Sequence, residues 1–150
     1  MTEKPHPVLL VVEDSDEDFE ALGRIMRRTC DIQIPLKRCV DGDEALDFLT
    51  QISACGEEKN SYLPKLILLD LNLPGTDGRE VLMHIKQDER LREIPVIVLT
   101  TSSNPRDVHA CYQSGVNSYM VKPTNIEQFK ALVRLFVDYW FKVVMLPNAV

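Results

Sequence analysis

The sequence VLLVVED, residues 8–14, is a short apolar run that stops at two acids, Glu13 and Asp14. A second run, LILLD at residues 66–70, repeats the pattern and stops at Asp70. Both runs are rich in leucine and β-branched residues without polar alternation, which is typical of strands buried on both faces of a parallel sheet. Ligands of open α/β sheets bind beyond the carboxyl ends of such strands. If the two strands are neighbours, three carboxylates converge on one edge of the sheet.

Carboxylates crowded in this way repel one another, and a bound cation relieves the repulsion. A cluster that offers only oxygen ligands suits Mg²⁺. We therefore expect a Mg²⁺ site formed by Glu13, Asp14 and Asp70.

The rest of the chain alternates between strand-like and helix-like segments. The strand-like segments are residues 8–12, 36–40, 66–69, 96–99 and 118–121, and a helical pattern follows each of them. Most of the helices have sequence signals at their ends; these signals are Asp41 with Glu44, Asp77 with Glu80, Asn104 before Pro105, Gly115, and Thr124 with Glu127. Repeated βα units with short connections predict an α/β fold, a doubly wound five-stranded parallel sheet with five helices.

Length and composition indicate one domain of a cytosolic protein. We expect a tail at 1–7, the domain at 8–145 and a second tail at 146–150. A net charge of −6 argues against binding to DNA. The chain has neither a signal segment nor an apolar run near the ~18 residues of a membrane span. The four cysteines are too scattered for a zinc site or a disulfide framework; they are Cys30, Cys39, Cys55 and Cys111.

Two further strand ends supply groups that would complete a phosphoryl-transfer site. Thr100 follows the fourth strand and Lys122 follows the fifth. An aspartate can attack phosphorus and become an acyl phosphate. The transition state carries negative charge on three oxygens, which a metal, an ammonium and a hydroxyl would stabilise. In this interpretation Asp70 attacks, while Lys122 and Thr100 bind the phosphoryl oxygens.

The motif LDLNLPGTDG at 69–78 resembles the receiver domains of bacterial two-component response regulators, and the likeness covers essentially the whole chain. The acidic pair, Thr100, Tyr119 and Lys122-Pro123 all match, although many receivers have Asp where this chain has Glu13. The resemblance implies that Asp70 accepts phosphate from a sensor histidine kinase and that the protein is not an enzyme beyond slow self-dephosphorylation.

The resemblance also implies roles for other residues. The backbone carbonyl of Asn72 would be a metal ligand, and Asn72 and Ser102 would tune hydrolysis of the acyl phosphate. Tyr119 would change rotamer together with Thr100, although plain core packing is an equal alternative for this ring. The bond before Pro123 would be cis.

A narrower resemblance points to the stand-alone response regulators that partner cyanobacterial phytochromes. It rests on Val12-Glu13-Asp14-Ser15, on the long loop after the second helix, and on the ending at 139–147. The resemblance implies a phytochrome as the sensor kinase.

The sequence is also compatible with two other functions. The first is a pseudo-receiver, an adaptor whose binding ignores phosphate. The second is an aspartyl-phosphate phosphohydrolase, which the sequence disfavours because Asn72 stands where such an enzyme has its acid. The acidic run at 16–18 is expected to be a solvated first helical turn or a contact for the kinase.

The last helix is too apolar to be buried on one side only. One stripe comprises Ile126, Phe129, Val133, Phe136, Val137, Trp140 and Val144, and a second comprises Leu132, Leu135, Tyr139 and Val143. Together they span an arc of roughly 200° at 100° per residue. The expected explanation is a homodimer interface formed by Leu132, Leu135, Tyr139, Trp140 and Val143; the alternative is a helix covered by its own C-terminal tail.

Overall fold

Five parallel strands form one sheet in the order β2-β1-β3-β4-β5. The computed structural model describes residues 8–29, 33–54 and 63–147. The strands are β1 (Leu9–Val12), β2 (Leu36–Cys39), β3 (Leu66–Leu69), β4 (Val96–Thr100) and β5 (Ser118–Val121). The doubly wound α/β fold predicted from the sequence is therefore confirmed, and its strand order is flavodoxin-like. The tail at 1–7, the loop at 55–62, the residues 148–150, and both Cys30 and Cys55 lie outside the described residues.

Helices connect the strands and pack on both faces of the sheet. They are α1 (Asp16–Thr29), α2 (Gly42–Ala54), α3 (Gly78–Gln87), α4 (Pro105–Gln113) and α5 (Ile126–Val137), and a terminal π-helix continues α5 over Asp138–Val143. Within the described ranges, no helix has both the length and the apolar character needed to cross a bilayer.

Successive strand residues point to opposite faces, so each central strand contributes to two cores. Leu10 of β1 packs in a cluster with α2, α3 and α4, whereas Leu9 and Val11 pack in a second cluster with α1 and α5. All four residues of β1 and of β3 are buried. This double burial explains why their sequences are continuously apolar.

Most of the predicted helix signals are used. Asp41 accepts a hydrogen bond from the backbone N–H of Glu44 at 2.7 Å, and Gly115 has the positive φ of 98° that ends α4. The predicted cap at Thr124 is wrong. Asn125 caps α5 instead. Its backbone is extended and directly precedes the first helical residue, and its side chain accepts hydrogen bonds from the backbone N–H groups of Glu127 and Gln128.

The two stripes predicted for the last helix are only partly correct. Phe129, Val133, Phe136 and Val137 are buried as expected, but Ile126 is exposed. Leu132 and Trp140, which were expected in the dimer interface, are half-buried against the α1-side core. The π-helix after Val137 changes the angle per residue. It brings Phe141 onto the same core, where an α-helical wheel does not place it.

Candidate functional site

The register of the sheet brings the predicted acids to one edge. Val12 of β1 pairs with Leu69 of β3, so that Glu13 and Asp70 follow neighbouring positions. The backbone N–H of Asp70 donates to the carbonyl of Val12 at 3.0 Å. Both acids are buried. The two strands are neighbours, which is the condition on which the convergence of the three carboxylates was predicted.

Three carboxylates converge at this edge in a geometry that can hold a cation. Glu13, Asp14 and Asp70 each offer an oxygen, and these oxygens lie within 4.8 Å of one another. Glu13 and Asp70 are buried, whereas Asp14 is exposed. An all-oxygen donor set that opens to solvent on one side fits a hard divalent cation, which keeps part of its water shell.

Lys122 is the cationic centre of the site. Its Nζ lies 2.5 Å from Glu13 Oε1, 2.9 Å from Asp18 Oδ2 and 3.0 Å from Asp70 Oδ2. Burial alone would lower the pKa of Lys122, but its hydrogen bonds to Asp18 and Glu13 and the charge of Asp70 outweigh burial and raise it. Lys122 therefore stays an ammonium and is held within hydrogen-bond distance of Asp70.

The pKa of Glu13 is raised to about 7. Burial is the largest cause, and the neighbouring charge of Asp70 adds to it, while the hydrogen bond from Lys122 acts in the opposite direction. A carboxylate in this position gains from additional positive charge, which agrees with a role as a metal ligand.

The last residue of β4, Thr100, contributes a hydroxyl without a partner. Thr100 is 0% exposed, and its Oγ1 has no hydrogen-bond partner among the described residues. Buried hydroxyls are ordinarily hydrogen-bonded, so an unpartnered one at the carboxyl end of β4 agrees with a role as a ligand donor.

In the loop that follows β4, Ser102 Oγ donates to Asp107 Oδ2 at 2.5 Å. The hydroxyl of Tyr119 donates to the backbone carbonyl of Ser102 at 2.8 Å. The ring of Tyr119 is half-buried and packs on the α2–α4 core. Tyr119 therefore packs on the core, as one of the two alternatives predicted, and also contacts the loop that follows Thr100; its rotamer change together with Thr100 stays a prediction.

The loop after β3 holds Asp70 in place through its backbone. The N–H of Asn72 donates to Asp70 Oδ1 at 3.3 Å, and the Asn72 side chain is exposed. Gly78 at the start of α3 packs so closely that a Cβ there would lie 2.3 Å from the carbonyl oxygen of Asp70.

The cis bond expected before Pro123 is absent, since the described residues contain no cis peptide bond; trans is the ordinary, lower-energy state of such bonds.

Two residues of the site were not identified from the sequence. Asp18 was expected to be a solvated acid or a kinase contact, but it pairs with Lys122. Arg38 of β2 donates from Nε to the backbone carbonyl of Glu13 at 3.1 Å and pairs with Asp16 at 2.7 Å. Its guanidinium also lies over the ring of Phe19, 4.9 Å from the centroid. Arg38 therefore clamps the loop between β1 and α1, which carries the acidic pair.

Comparison with known proteins agrees with this geometry. The family model for the response regulator receiver domain matches residues 9–134. The chain belongs to the response regulator receiver family. It is accordingly a signalling protein rather than a classical enzyme. Response regulator Rcp1 of Synechocystis sp. is 44% identical over 146 residues, which cover 97% of this chain and 96% of that protein.

Solved structures give the same relationship. The Mn²⁺-bound form of Rcp1 superposes with a TM-score of 0.84 at 44% identity and covers 95% of this chain and 99% of that one. The phosphorylated cyanobacterial phytochrome response regulator RcpA superposes with a TM-score of 0.85 at 38% identity, and the match covers 96% of this chain and 100% of that one. The narrower likeness to phytochrome response regulators that the sequence suggested is thus confirmed.

A probable methanogenesis regulatory protein, FilR2 of Methanothrix harundinacea, is 40% identical over 140 residues, covering 89% of this chain and 83% of that protein. Relatives at similar identity are therefore named for different processes, and identity alone does not determine the input signal.

Proposed function

We propose that this protein is a phosphorylation-activated switch in which Asp70 accepts a phosphoryl group from a phosphohistidine on a sensor kinase. The observation that carries the proposal is the contact of the Lys122 ammonium with Asp70 at 3.0 Å, beside an acidic cluster. The unpartnered hydroxyl of Thr100 at the same edge supports it.

In the transfer step, a carboxylate oxygen of Asp70 forms a bond to phosphorus while the bond from phosphorus to the imidazole nitrogen breaks. The electron pair of the broken bond stays on the imidazole, which takes up a proton from water. Lys122 and Thr100 donate hydrogen bonds to the phosphoryl oxygens. Glu13, Asp14, Asp70 and the carbonyl of Asn72 would hold Mg²⁺, which when bound supplies positive charge against those oxygens. Asn72 and Ser102 then set the rate of hydrolysis.

Phosphotransfer with labelled phosphate tests this function. We expect the label to depend on Mg²⁺, to be lost in Asp70→Asn, and to persist in Asp47→Asn, an exposed aspartate on α2 that serves as the matched control. Equal labelling of the wild type and Asp70→Asn would overturn Asp70 as the phosphoacceptor. No label on the wild type would leave the phosphate-independent adaptor as the function. Multiple turnover of small phosphate esters would instead favour the phosphohydrolase.

We propose a phytochrome as the sensor kinase and protein contact as the output. The likeness to RcpA, a phytochrome response regulator, supports the first. The net charge of −6, which disfavours DNA, supports the second. Phosphotransfer from a purified phytochrome kinase that is no faster than from an unrelated histidine kinase would argue against the phytochrome assignment.

We also propose a homodimer, because α5 and the π-helix carry an exposed apolar face. Leu135, Tyr139 and Val143 are 70%, 53% and 73% exposed. Leu146 folds back onto the core, but the tail as described, up to residue 147, leaves these three side chains uncovered. A second copy of the chain is the proposed occupant, since two-fold pairing would bury the same patch on both partners.

A further inference from the structure

Lys122 uses all its donors in the resting site. An ammonium has three N–H donors and no acceptor. Each of the three lies within hydrogen-bond distance of a carboxylate, namely Glu13 at 2.5 Å, Asp18 at 2.9 Å and Asp70 at 3.0 Å. A phosphoryl oxygen can therefore receive a hydrogen bond from Lys122 only if one of these carboxylates gives up its own.

The difference in burial indicates which carboxylate gives up its hydrogen bond from Lys122. The side chains of Glu13 and Asp70 are 7% and 8% exposed, whereas that of Asp18 is 43% exposed. A buried carboxylate that loses its cation is left with an uncompensated charge, which is strongly unfavourable. An exposed one is rehydrated and loses little. When Asp70 carries the incoming group on one oxygen, its other carboxyl oxygen can still accept from Lys122, and Glu13 belongs to the acidic cluster that would hold the metal. Asp18 is therefore the partner that Lys122 releases.

We propose that Asp18 is a positioning residue that holds Lys122 in the resting protein and competes with the phosphoryl group for it. This inference rests on the proposed function of Asp70 as phosphoacceptor. The exchange at Lys122 replaces one hydrogen bond by another, and no proton is transferred. Because Asp18 lies in the first turn of α1 and Lys122 follows β5, formation of the acyl phosphate would also release a link between α1 and the β5–α5 loop.

Beryllofluoride mimics the phosphoryl group on Asp70. Its affinity for the protein, measured by calorimetry in excess Mg²⁺, tests whether Asp18 competes with that group for Lys122. Asp18→Asn keeps the shape of the side chain and removes its charge, so Lys122 is freed and beryllofluoride should bind about threefold more tightly. Asp18→Glu restores the charge and should return the affinity towards that of the wild type. Glu17→Gln is the matched control, because Glu17 is an exposed acid in the same helical turn and makes no contact with Lys122; its affinity should be unchanged.

A double-mutant cycle shows whether the effect passes through Lys122. In a Lys122→Gln background, Asp18→Asn should no longer tighten beryllofluoride binding, whereas a simple change in local charge would persist there. As a second readout, the carboxyl carbon of Asp18 should move towards its solvated chemical shift when beryllofluoride is added to the wild type.

The outcomes separate this inference from the proposed function. If the wild type binds no beryllofluoride, both are overturned. If the wild type binds it but Asp18→Asn binds equally or more weakly, the competition is overturned and the phosphoacceptor stands. An equal gain in Glu17→Gln, or a gain that survives in the Lys122→Gln background, would likewise overturn the competition.

Discussion

Replacing Thr100 by valine should stabilise the resting protein and impair the switch. Thr100 is 0% exposed and its hydroxyl has no partner among the described residues. An unsatisfied buried hydroxyl costs about 1–3 kcal/mol. Valine has the same shape, suits β4, and carries a methyl group in place of the hydroxyl. We therefore expect Thr100→Val to raise the free energy of unfolding by about 1–2 kcal/mol, or Tm by about 3–6 °C for a domain of this size.

The same substitution should weaken beryllofluoride binding about tenfold or more, since a hydrogen bond to a charged acceptor contributes about 1.5–3 kcal/mol. Urea unfolding measures the gain in the free energy of unfolding, provided that its dependence on urea concentration is unchanged. Calorimetry measures the affinity for beryllofluoride. Thr101→Val is the control, because Thr101 is exposed and should change neither quantity. A Thr100→Val protein that is less stable than the wild type, with undiminished affinity, would refute the argument that this hydroxyl is held in reserve.

Three further outcomes follow from the structure. Replacing Leu135 and Tyr139 by charged residues should give a soluble monomer that still accepts phosphate, and sedimentation of a wild type that is monomeric at tens of micromolar would contradict this. Arg38→Met should weaken Mn²⁺ binding about tenfold, as measured by electron paramagnetic resonance, because the loop that carries the acidic pair loses its clamp. Gly78→Ala should destabilise by about 1–3 kcal/mol, because its Cβ would lie 2.3 Å from a backbone oxygen. Gly23→Ala should not destabilise in the same unfolding assay, because the nearest atom is the flexible Arg27 side chain at 3.1 Å.

The acidic residues at strand ends show how far local sequence carries the argument. A continuous apolar run predicts a strand buried on both faces, and the acid that follows marks the carboxyl end where ligands bind. Glu13, Asp70, Thr100 and Lys122 could be placed at one edge on these grounds, and the register of β1 with β3 agrees. The order of the residues and the parallel connection of the strands are sufficient for this placement.

The last helix shows where the same reasoning fails. A helical wheel assumes a constant angle per residue, but the chain is π-helical from Asp138 to Val143. This change places Phe141 on the core. The exposure of Ile126 and the partial burial of Leu132 depend on how α5 packs on the sheet. Only part of the predicted dimer face, Leu135, Tyr139 and Val143, is therefore free.

The sequence by itself determined the α/β fold, the acidic edge of the sheet and the family, because these depend on local patterns and on a motif of adjacent residues. The tertiary structure alone decided how the charges pair. Asp18 and Lys122 are 104 residues apart in the chain but 2.9 Å apart in space, and Arg38 reaches the backbone of Glu13 from a neighbouring strand. A long charged side chain chooses its partner by distance and burial, and both arise only when the helices pack on the sheet.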